Sequence, residues 1–178
     1  MCKNVICICL SDSYGGGEKV LGDNFNNWHE VGHNAIMITN NEKLLKTCCK
    51  YRGSIYFLHG MSQLYGSNSR SKRVLEIFWL NVKLIVLLIF IRCVFVNQSL
   101  ILWANSHCSA YTFPVIFPFF RKKIVSIHIG RSSGKFKLLY LLFMLVGVRI
   151  IAVSDAVKET LINIGVPKKR IRVIHNGV

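Results

Sequence analysis

Asn4-Val-Ile-Cys-Ile-Cys-Leu10, then Ser11-Asp-Ser-Tyr14, then Gly15-Gly16-Gly17-Glu18: an unbroken apolar run, a polar turn and a glycine cluster stand in that order near the start of the chain. The run is rich in β-branched residues and has no polar face, which predicts a strand buried on both sides, as in a parallel sheet. A parallel neighbour needs a long crossover connection, and the helical pattern from Lys19 to His29 supplies one before Gly32 and a second strand at Ala35–Thr39. Further short apolar runs follow at Ser54–Leu58, Leu100–Ala104, Ile124–His128, Arg149–Val153 and Arg170–Ile174. Helix-compatible sequence lies between them: Ser71–Phe95, with a break expected near its end, then Ala110–Phe117, Lys135–Val146 and Ala156–Ile164. Strands alternating with helices over short connections predict an α/β fold with a Rossmann-like, doubly wound parallel sheet. In such sheets ligands bind outside the carboxyl ends of the strands. Four loops are thereby singled out: Ser11–Glu18, Asn105–Ser109, His128–Ser133 and Ser154–Asp155.

Composition is consistent with one compact domain. The 178 residues are 52% hydrophobic, which excludes a disordered tail, and three prolines without a repeat period exclude a Pro-rich linker, a collagen-like chain and a solenoid. Seven cysteines, with no C-x-x-C pair, argue against a disulfide framework and a thiolate zinc site. The apolar run before Ser11, Val5–Leu10, is only six residues long, too short for the apolar region of a signal peptide, so the reducing cytosol is the expected compartment. Ile77–Val96 is interrupted by Asn81, Lys83 and Arg92, and Leu138–Val148 is hemmed by Lys137 and Arg149. Both fall short of an uninterrupted span of about 20 residues. They read as core helices or as helices lying on a membrane surface.

Charge is distributed unevenly. Lys and Arg number 23 against 8 Asp and Glu, a net charge of +15, which implies a polyanionic neighbour. From Ile77 through Ser154 there is no acidic residue, while Lys83, Arg92, Arg121, Lys122, Lys123, Arg131, Lys135, Lys137 and Arg149 are interleaved with Phe and Leu. An anionic bilayer surface attracts such a segment. No nucleic acid is expected, because no helix-turn-helix, RNA-recognition or zinc-finger signature is present. A merely solvated basic face is the plainer alternative.

Three constellations bear on chemistry. Gly15–Gly17 follows a strand and opens a helix, where glycine permits positive φ and close approach of backbone N–H groups to a phosphate. It is not G-x-G-x-x-G, and Gly130-Arg-Ser-Ser-Gly134-Lys135 is one residue short of a P-loop, so either loop reads equally as a turn. His29-Glu30-Val31-Gly32-His33 spells the H-E-x-x-H of zinc peptidases. Gly32 and the early start of the next strand favour instead a helix ending near Glu30, with His33 beyond it, so no metal is assigned. His128 ends a strand at the predicted ligand edge, with His107 at the same edge on weaker grounds; His59 and His175 have no nameable partner.

The closing passage carries a family resemblance. Val153-Ser154-Asp155-Ala156-Val157-Lys158-Glu159-Thr160-Leu161, then Gly165-Val166-Pro167, then Ile171-Arg172-Val173-Ile174-His175-Asn176-Gly177-Val178 closely resembles glycosyltransferase family 4. The Gly15-Gly16-Gly17-Glu18 loop, the Trp28–His33 junction and Val125-Ser-Ile-His128 are similar to that family's glycine-rich first loop, its helix-to-second-strand junction and its strand ending in a histidine near the reaction centre. The resemblance implies a GT-B fold and transfer of a sugar from a nucleotide-sugar donor, as co-substrate, to a glycan or lipid-linked acceptor, with retained configuration and no bound cofactor. It also implies roles: His128 at the transferred sugar, Gly15, Gly16, Gly17 and Glu18 near donor and acceptor, Ser154 along the cleft, and Arg131 as a further binding residue.

GT-B enzymes have a second Rossmann-like domain that holds most of the donor site. Residues 1–174 correspond to the N-terminal, acceptor-side domain, and 175–178, with Asn176 and Gly177, to the start of the linker. The expectation is therefore an acceptor-binding half, inactive alone, working with a separate C-terminal donor-domain polypeptide or left as a fragment. Its expected place is peripheral, on the cytoplasmic face of the membrane. The alternatives are a non-catalytic basic membrane- or polyanion-binding remnant and, less favoured, a zinc hydrolase on His29 and His33.

Overall fold

The computed structural model describes residues 3–11, 14–58, 70–96, 98–106, 108–116, 119–120, 122–128 and 134–175. Among the described residues seven strands alternate with six α-helices: β1 (Asn4–Cys9), α1 (Gly16–Glu30), β2 (Asn34–Thr39), α2 (Glu42–Thr47), β3 (Ile55–Phe57), α3 (Arg70–Val94), β4 (Leu100–Ala104), α4 (Phe113–Ile116), β5 (Lys122–Ile127), α5 (Gly134–Leu145), β6 (Arg149–Ala152), α6 (Asp155–Asn163) and β7 (Ile171–Val173). All pairings are parallel and the sheet order is β3-β2-β1-β4-β5-β6-β7. This is the Rossmann-like doubly wound sheet that the apolar runs predict. The order reverses at β1, which pairs with β2 on one side and β4 on the other, so the loops after β1 and β4 diverge and open a crevice between them.

The opening run is buried on both faces, as its lack of a polar side requires. Ile6 and Ile8 point into one core with Leu84 and Leu88 of α3, Tyr140 and Phe143 of α5 and Leu161 of α6. Val5, Cys7 and Cys9 point the other way, onto Leu21 and Phe25 of α1 and Leu44 of α2. Burial pushes the Cys7 thiol well up and raises Cys9 to about 12, so both remain neutral hydrophobes.

Several elements differ from the sequence expectation for local reasons. α1 begins at Gly16, three residues early, because Glu18 reaches back to cap its first turn. α2 is additional: Asn41 caps it by accepting from Leu44 N–H at 3.0 Å. α3 runs unbroken to Val94, and Arg92 closes its end by donating to the Phe95 and Val96 carbonyls at 2.7 Å each. The helix expected over 110–117 contracts to Phe113–Ile116, with Pro114 in the first turn, where its missing N–H costs nothing. Among the described residues no helix is long and apolar enough to cross a membrane.

Candidate functional site

The loop leaving β1 is held by side chains from neighbouring strands. Leu10 N–H donates to Ser109 Oγ at 3.0 Å, and Ser11 N–H donates to Asn40 Oδ1 at 2.9 Å. Asn41 Nδ2 returns a bond to the Ser11 carbonyl at 3.0 Å. The chain then enters α1 through Gly15, whose N–H donates to Glu18 Oε2 at 3.0 Å. Glu18 thus satisfies one of the orphan amides of the helix start and sets a carboxylate in the positive field there.

None of Gly15, Gly16 and Gly17 adopts the positive φ that their place in a turn suggests. Gly15 is extended, with φ −131° and ψ −163°, and the described glycines with positive φ are Gly32, Gly147 and Gly165. At Gly17 space is tight. A Cβ on it would stand 3.0 Å from both Cε1 and Nδ1 of His128, whereas a Cβ on Gly16 would meet nothing within 4 Å. The turn of α1 carrying Gly17 therefore lies directly against the imidazole.

His128 follows the last residue of β5 and is half-buried. Its Nε2 lies 3.1 Å from Asn105 Oδ1. An amide oxygen only accepts, so the proton resides on Nε2 and the neutral ring keeps its lone pair on Nδ1. Burial pushes the imidazole below its ordinary pKa, and the Glu18 carboxylate offsets part of that effect. Asn105, just past β4, is itself buried; its N–H donates to the Ile8 carbonyl at 2.9 Å and its Nδ2 approaches Cys9 Sγ at 3.9 Å. Three adjacent strands, β1, β4 and β5, thereby fix one ring. Sequence reasoning singled out the loop that begins at Asn105 but passed over this residue in favour of His107.

Beside the ring opens a shallow cleft of about 210 Å³, lined by Val20 and Asn24 of α1, Trp103, Ser126, His128 and His175 among others. Trp103 Nε1 donates to Ser126 Oγ at 2.7 Å, and its ring centroid lies 4.9 Å from that of Trp28. His175 Nε2 stands 3.7 Å from Asp155 Oδ2, a partner its sequence context does not reveal. Ser154 caps α6, accepting from Val157 N–H at 3.2 Å, while the adjacent Val153 lines the cleft. Gly17, Glu18 and His128 are thus brought together, Gly15 and Gly16 lead into them, and Ser154 is engaged at the neighbouring helix start. Arg131, His107, His59, Asn176 and Gly177 lie outside the described residues.

The H-E-x-x-H stretch does not occupy one helix face. α1 ends at Glu30, Gly32 turns with φ 78°, and His33 N–H donates back to the Trp28 carbonyl at 2.8 Å. His29 stacks on Tyr51, ring centroids 4.3 Å apart and planes 13° from parallel. Among the described residues no group of three His, Cys, Asp or Glu is placed to hold a metal ion.

Comparison with known proteins adds to this geometry. The family model for Glycosyltransferase Family 4 matches residues 14–178. A glycosyltransferase from Rickettsia africae superposes with a TM-score of 0.72 at 23% identity, over 99% of this chain and 44% of that one. Anabaena Alr3699/HepE, solved with UDP and glucose, superposes with a TM-score of 0.66 at 13% identity, over 99% and 45%. The same Anabaena protein with UDP-glucose gives 0.65 at 13% identity, over 98% and 44%. The chain therefore spans less than half the length of these structures. A search of curated proteins finds no match.

Proposed function

The chain belongs to glycosyltransferase family 4, and from that premise we propose that it is the acceptor-side half of an enzyme moving a sugar from a nucleotide-sugar to a glycan or lipid-linked acceptor with retained configuration. The observation that carries the reading is the contact of Gly17, His128 and Asn105 at the reversal of strand order. An uncharged imidazole, its N–H engaged by Asn105, offers a sugar hydroxyl an acceptor rather than a cation. The first-turn amides of α1 favour an anionic group, and the Glu18 carboxylate beside them limits how much negative charge that end accepts. A cleft of about 210 Å³ is smaller than the ~300 Å³ at which pockets for whole small ligands begin, which agrees with donor contacts supplied by a second domain. No cofactor is invoked.

The test is sugar transfer from a panel of nucleotide-sugars, by this chain alone and together with a family 4 C-terminal domain. Transfer is expected only in the combined sample and should drop at least a hundredfold in His128→Ala, within the range reported for removal of one positioned polar group. Transfer that survives His128→Ala unchanged would remove the ring from the reaction. Transfer by the chain alone would overturn its reading as a half.

A further inference from the structure

The amino ends of four neighbouring strands converge on a second groove, at the edge of the sheet opposite His128. Asn4 and Asn34 open β1 and β2 and are direct partners across the ladder. Leu100 opens β4 on the other side of Asn4, and Ser54 immediately precedes β3. With His29 from the last turn of α1 and Phe95 just past α3, these residues line a space of about 270 Å³. β1 is six residues long, so at ~3.3 Å per residue about 20 Å of strand separates this groove from the cleft beside His128.

The lining combines an apolar floor with a few polar groups, as small-ligand sites do. Leu100 is buried and Phe95 half-buried. Asn34 Nδ2 donates to Asn4 Oδ1 at 3.0 Å, which leaves Asn4 Nδ2 as a donor and Asn34 Oδ1 as an acceptor on adjacent strands. Ser54 adds a hydroxyl from a third segment. His29 is clamped by its stack on Tyr51 and by Phe25, whose ring centroid is 4.8 Å away. Its Nε2 is buried with no hydrogen-bond partner among the described residues, a state that buried polar atoms rarely keep.

This chemistry selects the ligand. No lining residue carries a carboxylate, an ammonium or a guanidinium group, in a chain whose net charge is +15. A phosphate or carboxylate would be desolvated there without a counter-charge, so the ligand is uncharged. Neighbouring donors and acceptors suit groups that do both, as adjacent sugar hydroxyls do. The apolar floor and the Phe95 ring suit the C–H face of a pyranose. A volume just under the ~300 Å³ at which pockets for drug-sized ligands begin admits one such ring.

We propose that the groove at the amino ends of β1, β2 and β4 binds a single uncharged pyranose ring through Asn4, Asn34 and Ser54. The site is distinct from the cleft beside His128, and its occupancy does not depend on the proposed sugar transfer.

The test is titration of the isotope-labelled chain with the methyl glycosides of glucose, galactose, mannose and N-acetylglucosamine, followed by NMR. At least one should shift the side-chain amides of Asn4 and Asn34 and the ring resonances of His29, saturating with a Kd of about 1–10 mM, as a few neutral contacts supply. Asn34→Ala should weaken that binding at least tenfold, and His128→Ala should leave the His29 shifts unchanged. Because Asn34 starts a strand and its loss can disturb folding, magnetisation transfer from the bound glycoside to the Phe95 ring of the unaltered chain gives a second reading. Four results would overturn the proposal. The first is no shift at His29 or Asn34 with any of the glycosides at about 50 mM. The second is binding undiminished in Asn34→Ala. The third is loss of the His29 shifts in His128→Ala, which would assign the sugar to the other cleft. The fourth is tighter binding of uridine or glucose 6-phosphate at the same resonances, which would assign the groove to a base or an anion.

Discussion

Alanine in place of Gly17 sets a methyl group 3.0 Å from two ring atoms of His128, closer than unstrained carbon contacts allow. The same substitution at Gly16 meets open space and gains the helix propensity of alanine, up to about 1 kcal/mol. Gly16→Ala should therefore raise the melting temperature, while Gly17→Ala should not and should move the His128 ring resonances in an NMR spectrum. Equal behaviour of the two variants would show that the loop and the ring are not in contact. The imidazole also makes stability depend on pH. Its pKa in the folded chain is depressed, so below the unfolded value of about 6.5 the unfolded chain binds the proton first and stability falls with pH. Melting temperatures of the chain and of His128→Gln, measured from pH 7.5 to 5.5, should diverge in that sense, with the unaltered chain losing more. Glu18→Gln removes the charge that supports the protonated ring and should lower the His128 pKa further in an NMR titration. His128 was legible in the sequence because it ends an apolar run at the ligand edge. Asn105 was not, because its bond to His128 spans β4 and β5 and its approach to Cys9 spans β4 and β1, neighbours that no single stretch of sequence orders. The triple glycine was legible as special, but the positive φ expected of it does not occur, and at Gly17 the neighbouring ring leaves little room for a side chain.

Among the elements, the helix starts show how much a single side chain fixes. Ser154 accepts from Val157 N–H and begins α6, so Ser154→Ala should cost about 1 kcal/mol in urea unfolding without changing the dependence on denaturant. A smaller loss, within a few tenths, would mean that packing of Val157 and Leu161 alone sets the start of that helix. The long elements were legible from apolar periodicity and glycine punctuation, and α3, α5 and α6 fall within a residue or two of their expected bounds. α2 was not, because six residues give too little periodicity to read, although its Asn41 cap was in plain view. The expected break in α3 does not occur, since Arg92 supplies the carbonyl partners that a terminating turn would otherwise have to find.

At the level of the whole molecule, the two sides of the sheet differ in kind. One carries α1 and α2 and the cleft beside His128, while the other carries α3, α5 and α6 and presents apolar side chains outward as well as inward. The acid-free stretch from Ile77 to Ser154 was visible in the sequence, but its joining to an exposed apolar layer was not, since buried and exposed leucines look alike until the sheet assigns them a side. The placing of β1 governs how the chain can be made. Ile8 pairs with Ile38 and also with Ala104, so β1 becomes a central strand only after roughly a hundred further residues are made, which at about 5–20 residues per second takes on the order of 5–20 s. During that interval one edge of a strand that is apolar from Val5 to Cys9 is unpaired. Nascent chains arrested before β4 should be cut readily by protease near β1 and held by chaperones, and those arrested after β4 has emerged should resist. The rate of synthesis through α3 then decides how long the newborn protein is open to aggregation.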